Sequence, residues 1–411
     1  MNIAAFTNSY KPFIGGVETS ISLFKKELEG RGHKVYIFAP RYPGYSEDDP
    51  SIIRVSSVEA PTYPGFYLPI SFVQLIQDKF AKLNIDLVHV HQPFLLGEIG
   101  LRIAHKNGLP LVFTYHTLYE KYLHYVPFNK EITRTFLEKL VSSFCSHCDL
   151  VICPSWYVYE KVSQKLPGCN LRMIPTGLDL ESRKDVEKGD IRKRYDIPRN
   201  AKIMLYAGRI TKEKNLDFLI SCAISIIRKR DDTYCFFIGD GDQRARLEKL
   251  AADEGLAGKI IFPGEKTRDE LYRFYNDADI FIFSSKSETQ GLVILEAMSF
   301  SLPVVAVDAP AISEQVKNGI NGYIVKEKEI SFVEKALLII EDKQGYSRMA
   351  GGALQTAQQN SIRHTADLLL DEYTSLLEKE NSRNIEPFRR TRILWNTDWK
   401  PLLREMLRRK T

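Results

Sequence analysis

Short apolar runs alternate along the chain with longer stretches whose apolar residues recur every three or four positions. The short runs at 2–7, 34–39, 86–90, 110–115 and 149–153 read as strands, and a second set lies at 202–207, 233–238, 259–262, 279–283 and 303–307. Between them, 17–30, 215–229, 242–254 and 267–276 carry helical spacing. Strand–helix alternation of this kind predicts an α/β fold, with parallel sheets covered by helices on both faces. The pattern breaks at 178–200, which is crowded with Glu181, Arg183, Lys184, Asp185, Glu187 and Lys188 and ends in Asp196-Ile197-Pro198-Arg199-Asn200. Taking that break as a linker gives a first doubly wound domain over 1–178, a linker over 179–200 and a second domain over 201–361. A helix over 362–380 and a tail over 381–411 follow. Two such domains in tandem face each other across a cleft, where folds of this type bind ligands.

With 411 residues there is material for two cores, and 44% hydrophobic with 27% charged residues is ordinary for a globular protein. Met1-Asn2-Ile3-Ala4-Ala5-Phe6 runs directly into a strand, without the basic start and apolar stretch of about 7–15 residues of a secretory signal. No uncharged apolar run of roughly 18 residues is present, so the expected location is cytoplasmic. Cys145 and Cys148 form a CxxC, but no second ligand pair accompanies them, and the six cysteines read as reduced thiols with no metal site. The net charge of +5 is concentrated in the tail: residues 381–411 hold nine Lys or Arg and three acids, so the rest of the chain sums to −1. A body of that charge does not suggest a nucleic-acid partner.

The most informative segment runs from Phe283 to Met298. A strand ends near Phe283 and a helix begins near Gly291 or Leu292. Gly291 allows close backbone approach, and the amides of Leu292 and Val293 point out of the helix N-terminus, where they suit a phosphate. Glu288 and Glu296 bracket that turn, placed to accept hydrogen bonds from hydroxyls at the sugar and ribose ends of a nucleotide sugar. A second segment, Gly208-Arg209 to Lys214-Asn215, follows the second domain's first strand. Its two cations suit a diphosphate whose charge grows as the sugar leaves, Arg209 in bidentate fashion and Lys214 as a point charge. Gly15-Gly16 forms the corresponding turn in the first domain, and His116 ends a strand facing the cleft. Each of these has a plainer reading as a helix cap, a surface cation, a tight turn or a structural histidine. His89 and His91 alternate on one strand and read as structural or acceptor-side.

Taken together the motifs resemble family 4 glycosyltransferases: Glu288-x7-Glu296 followed by Ala297-Met298, Leu302-Pro303-Val304-Val305-Ala306, Asn318-Gly319-Ile320-Asn321-Gly322, Gly208-Arg209-x4-Lys214 and Gly15-Gly16-Val17, over about residues 1–380. The resemblance implies the GT-B fold, two facing Rossmann-like domains with a terminal helix crossing back over the first. The acceptor would lie on the first domain and the nucleotide sugar on the second. It further implies retaining, metal-independent transfer without a cofactor. In that frame Glu288 contacts the donor sugar, Gln290, Gly291, Leu292 and Val293 line the donor turn, and Glu296 holds the ribose. Arg209 and Lys214 hold the diphosphate, Gly15 and Gly16 meet the donor, and His116 sits near the anomeric centre. Ser301 stands where the family often has glycine, and Ala309-Pro310-Ala311 replaces a glycine-rich turn, which leaves the exact sugar open.

Tyr115 to Tyr125 and Ser287 to Leu292 resemble, more narrowly, bacterial diacylglycerol glucosyltransferases. That likeness implies UDP-glucose as donor, 1,2-diacylglycerol as acceptor, and monoglucosyldiacylglycerol as product. A lipid acceptor needs a membrane surface. Aromatic and basic residues gather at 61–83, at 119–141 (Tyr119, Lys121 and Tyr122 among them) and in the tail (Trp395, Trp399), suiting an anionic bilayer on the inner face of the cell membrane. The alternatives are a soluble sugar or sugar-phosphate acceptor, a sugar-nucleotide epimerase on the same fold, and an inactive binding subunit.

Overall fold

A computed structural model of the chain describes residues 1–13, 15–60, 66–70, 73–119, 130–181, 183 and 189–382. Among these, seven parallel strands form a first sheet, in spatial order Ile52–Val55, Lys34–Pro40, Asn2–Phe6, Leu87–Val90, Leu111–Thr114, Leu150–Cys153 and Leu171–Met173. Six parallel strands form a second: Ile260–Gly264, Thr233–Ile238, Lys202–Ala207, Ile280–Phe283, Val304–Val307 and Gly322–Val325. In each sheet the chain starts at the centre, winds to one edge, and returns to fill the other half. That is the doubly wound order, with a switch point beside the first strand.

Every strand expected from the sequence is found, shifted by at most two residues at an end. Among the described residues the apolar pattern missed the small antiparallel pair Ser57–Glu59 and Tyr67–Pro69 and three strands of the large sheets, Ile52–Val55, Leu171–Met173 and Gly322–Val325, all at sheet edges. Each leaves its middle or end residues partly exposed, so it lacks the unbroken apolar run of a central strand. Central strands bury both faces by period-two alternation. Ala4, Phe6, Val88, Val90 and Phe113 pack on one side with Ile103, Val141 and Phe144, while Ile3, Ala5, Ile37 and Val112 face Ile21 and Leu28 on the other.

The stretch read as a linker is only partly a connector. Helix Asp190–Arg194 starts where the Asp277 carboxylate accepts from the backbone of Gly189 and Ile191, and Ile191 and Ile197 are buried in the second core. The last described helix, Ile362–Ser382, leaves the second domain and packs on the first. Leu369, Tyr373 and Leu376 enter the first domain's core, and Arg31–Asp367 and Arg172–Glu372 ion pairs hold the helix rim.

Candidate functional site

The second sheet's switch point lies between Lys202–Ala207 and Ile280–Phe283, and the two loops leaving those strands carry the predicted donor residues. Ser284 joins the loops, its hydroxyl donating to the carbonyls of Lys214 (2.9 Å) and Asn215 (3.0 Å). Tyr206, fully buried, donates to the Arg209 carbonyl at 3.0 Å and steadies the first loop from below. Gly239 at the neighbouring strand end has φ +133°, and a Cβ there would lie 2.0 Å from the Gly208 carbonyl oxygen, so this approach requires glycine.

Lys214 Nζ sits 2.6 Å from Glu288 Oε1, and Arg209 Nη2 sits 2.9 Å from Glu213. Burial pushes the Glu288 carboxyl up, but Lys214, Ser285 and Arg209 outweigh it and hold it below the ordinary carboxylate value. Glu288 is therefore an anion at neutral pH, able to accept from a hydroxyl. Gly291 takes the left-handed conformation (φ 78°) as cap of helix Leu292–Ser299, with its missing Cβ ceding room to Ile312. The first-turn amides of Leu292 and Val293 have no preceding turn to bond within the helix, the arrangement that suits an anion at a helix tip, while their side chains pack on the second core. One turn on, Glu296 is flanked by Arg268, 3.8 Å away, and by the Tyr275 hydroxyl at 3.5 Å. Burial raises its carboxyl, and Arg268 and Tyr275 offset this only in part.

Across the cleft, helix Gly16–Gly30 begins at the Gly15 cap. A Cβ on Gly15 would lie 2.6 Å from a Glu18 carboxylate oxygen, whereas nothing stands within 4 Å of one on Gly16. Glu18 is buried, accepts from the Ser9 hydroxyl and feels the charge of Arg209, which sets the glycine turn of the first domain near the Arg209 loop of the second. His116 is half-buried at the mouth of the first sheet. Its backbone carbonyl accepts from Thr289, the neighbour of Glu288 (2.8 Å), which ties the histidine to the donor loop. Below it, His91 Nδ1 lies 3.0 Å from His116 Nε2, and His89 stacks on His91 at 4.3 Å. Burial holds His116 at about 3; burial and His116 hold His89 at about 3, and His91 is lowered for the same reasons with His89 added. All three are neutral imidazoles at physiological pH.

Two expected site residues are placed differently. Gln290 turns away from the donor turn: its amide accepts from Thr176 N (2.9 Å) and donates to Thr176 O (2.8 Å), bolting the donor loop to the first domain. Tyr119, expected on the acceptor or membrane side, packs edge-on against Phe94 at 5.1 Å with its hydroxyl buried. Lys121, Tyr122, Trp395 and Trp399 lie outside the described residues. Thr289, Glu18, Arg268 and Tyr373 were not singled out for these roles. Glu18 alone had a local signal, an acid in the first helical turn after a glycine pair; the others depend on contacts distant in sequence. Among the described residues no helix is long and apolar enough to cross a membrane.

The family model described as Glycosyltransferase Family 4 matches residues 14–182, and that described as Glycosyl transferases group 1 matches 187–355. The chain is 30% identical to the alpha-monoglucosyldiacylglycerol synthase of Acholeplasma laidlawii, over 80% of this chain and 86% of that protein. It is 31% identical to the Streptococcus pneumoniae protein of that name, over 78% and 74%. In structure it is similar to a sucrose-phosphate synthase from Thermosynechococcus elongatus (TM-score 0.75, 19% identity, 92% and 99% covered). It is also similar to Anabaena HepE in complex with UDP and glucose (TM-score 0.70, 19% identity, 91% and 100% covered). With these likenesses over both halves and facing doubly wound domains of GT-B type, the chain belongs to glycosyltransferase family 4.

Proposed function

We propose that this glycosyltransferase moves glucose from UDP-glucose to the free hydroxyl of 1,2-diacylglycerol, retaining the anomeric configuration. The observation that carries the reading is the Lys214–Glu288 pair at 2.6 Å, beside Arg209 and the Gly291 helix tip. One carboxylate and two cations there would serve a sugar hydroxyl and a diphosphate at once. As the bond from the anomeric carbon to phosphate oxygen breaks, negative charge grows on the leaving UDP. In this reading Lys214, Arg209 and the amides of Leu292 and Val293 stabilise that charge. In this reading those two cations carry the charge a divalent metal would otherwise carry. The acceptor oxygen bonds to the anomeric carbon from the face the phosphate leaves, and its proton passes to the departing phosphate oxygen. Glu296 would take the ribose diol, and the neutral His116 imidazole would hydrogen-bond the sugar without adding charge beside the anomeric carbon.

The diacylglycerol acceptor is supported by the names of the two synthases above and by the exposed apolar side chains of Ile70 and Leu75, close in sequence to Lys79. Such a surface suits a peripheral enzyme on anionic lipid. The test incubates the purified full chain with radiolabelled UDP-glucose, UDP-galactose and GDP-mannose, with and without vesicles holding diacylglycerol and anionic phospholipid. Label from UDP-glucose should enter the organic phase as an α-glucosyl lipid. Label transferred only to a soluble sugar or sugar phosphate would defeat the lipid reading, and a β-linked product would defeat retention.

A further inference from the structure

His116 is held from two directions, and only one of them belongs to the donor loop. Its main chain is tied to Thr289 of the second domain and, through its N–H, to Thr114 O at 3.0 Å. Its ring has a different anchor. His91 and His116 stand at the mouths of adjacent parallel strands, paired through Val90 and Phe113, with ring centroids 5.2 Å apart and planes 26° from parallel. The Nδ1···Nε2 distance is 3.0 Å, a hydrogen bond between two ring nitrogens. His91 is itself fixed: its backbone donates to Phe6 O at 3.0 Å, and His89 lies flat beneath it. The His89 ring is in turn held at both nitrogens, by the Tyr373 hydroxyl at 2.6 Å and the Thr114 hydroxyl at 2.7 Å.

An N–H···N bond between two neutral imidazoles contains one proton and admits two arrangements. If His91 Nδ1 carries it, His116 Nε2 accepts and His116 must keep its own proton on Nδ1. If His116 Nε2 carries it, Nδ1 of His116 is a lone pair. Either way the bond occupies Nε2 and leaves Nδ1 as the His116 ring nitrogen for the sugar.

We propose that His91 is a positioning residue that fixes the ring orientation of His116 by holding its Nε2, so that Nδ1 is the nitrogen turned to the sugar. The inference rests on the reading that His116 meets the donor sugar, but it concerns a contact that reading does not use. His91 touches no reacting atom; it acts through His116 alone.

The experiment compares His91→Leu, His91→Asn, His116→Ala and the double variant His91→Leu/His116→Ala in the full chain. Asn carries an amide group that occupies the place of Nδ1 and either donates or accepts, whereas Leu fills the space without a polar atom. His91→Leu should lower kcat about 100-fold, the loss that accompanies a misplacement of about 1 Å, with little change in KM for UDP-glucose. His91→Asn should recover most of it, and the double variant should be no worse than His116→Ala. Nitrogen NMR of the imidazoles should show His116 Nε2 hydrogen-bonded in the native protein and in His91→Asn, and that bond lost in His91→Leu. Equal kcat in all three His91 forms would overturn the proposal, as would a double variant slower than His116→Ala by the full His91→Leu factor. If His116→Ala kept full activity, the assignment of His116 to the sugar would fall instead. The nitrogen spectra of the His91 variants would still decide whether His91 holds His116 Nε2.

Discussion

Burial holds the stacked histidines under the site neutral, and His89 is the member whose contribution to stability is easiest to isolate. Unfolded, its imidazole titrates near 6.5; folded, burial and His116 bring it to about 3. Between those values the unfolded chain binds a proton that the native state refuses, so stability is complete above about pH 6.5 and is lost as the pH falls. For one histidine the loss from pH 7.5 to 5.0 is about 2 kcal/mol. His91 and His116 act in the same sense, whereas the buried carboxyls of Glu18 and Glu296, both raised by burial, act in the opposite one. A difference against a non-titrating variant removes these shared contributions. His89→Gln keeps polar atoms near Thr114 and Tyr373 and cannot ionise. It should be less stable at pH 7.5 by about 1 kcal/mol, the worth of one weakened hydrogen bond. Acidification to pH 5.0 should then cost it about 2 kcal/mol less than the unsubstituted protein. Urea denaturation at the two pH values measures both quantities. Parallel pH dependence in the two proteins would refute a neutral, proton-refusing His89.

The remaining predictions concern the donor side. Lys214→Met and Arg209→Gln should each lower kcat/KM for UDP-glucose by about 100- to 1000-fold, the scale of losing one charge-stabilising donor. Since Lys214 is the strongest influence holding Glu288 down, Lys214→Met should also move the acid limb of the activity profile to higher pH, and an unmoved limb would count against the pair. Gly239→Ala places a Cβ against the Gly208 carbonyl at φ +133°, and should cost roughly 1–3 kcal/mol in thermal denaturation. Gln290→Ala strips both backbone groups of Thr176 of their partner. The donor KM should rise and stability fall by about 1–3 kcal/mol, and an unchanged donor KM would show that the loop is positioned by other contacts.

The central strands of both sheets, and the loops at the second sheet's switch point, were legible in the sequence because their causes are local. Strands buried on both faces need unbroken apolar runs, and the loops at a switch point need glycines and charges within a few residues of a strand end. Hence Phe283 to Met298 and Leu205 to Asn215 could be read as paired strand-end loops at one switch point from spacing and resemblance alone. The edge strands Ile52–Val55, Leu171–Met173 and Gly322–Val325 were not legible, since each is only three or four residues long and partly exposed, too short a run to stand out from a loop. Side-chain direction was likewise hidden. Gln290 sits inside the donor motif, yet it spends both ends of its amide on Thr176, 114 positions away in sequence. His89 and His91 looked like two alternating strand residues. Only the packing of Tyr373 from the terminal helix, Thr114 from the next strand and His116 beyond it makes them a support for the site. Local sequence sets which backbone forms and where charge is available; a hydrogen bond between distant residues exists only after the chain has folded, and no local pattern records it.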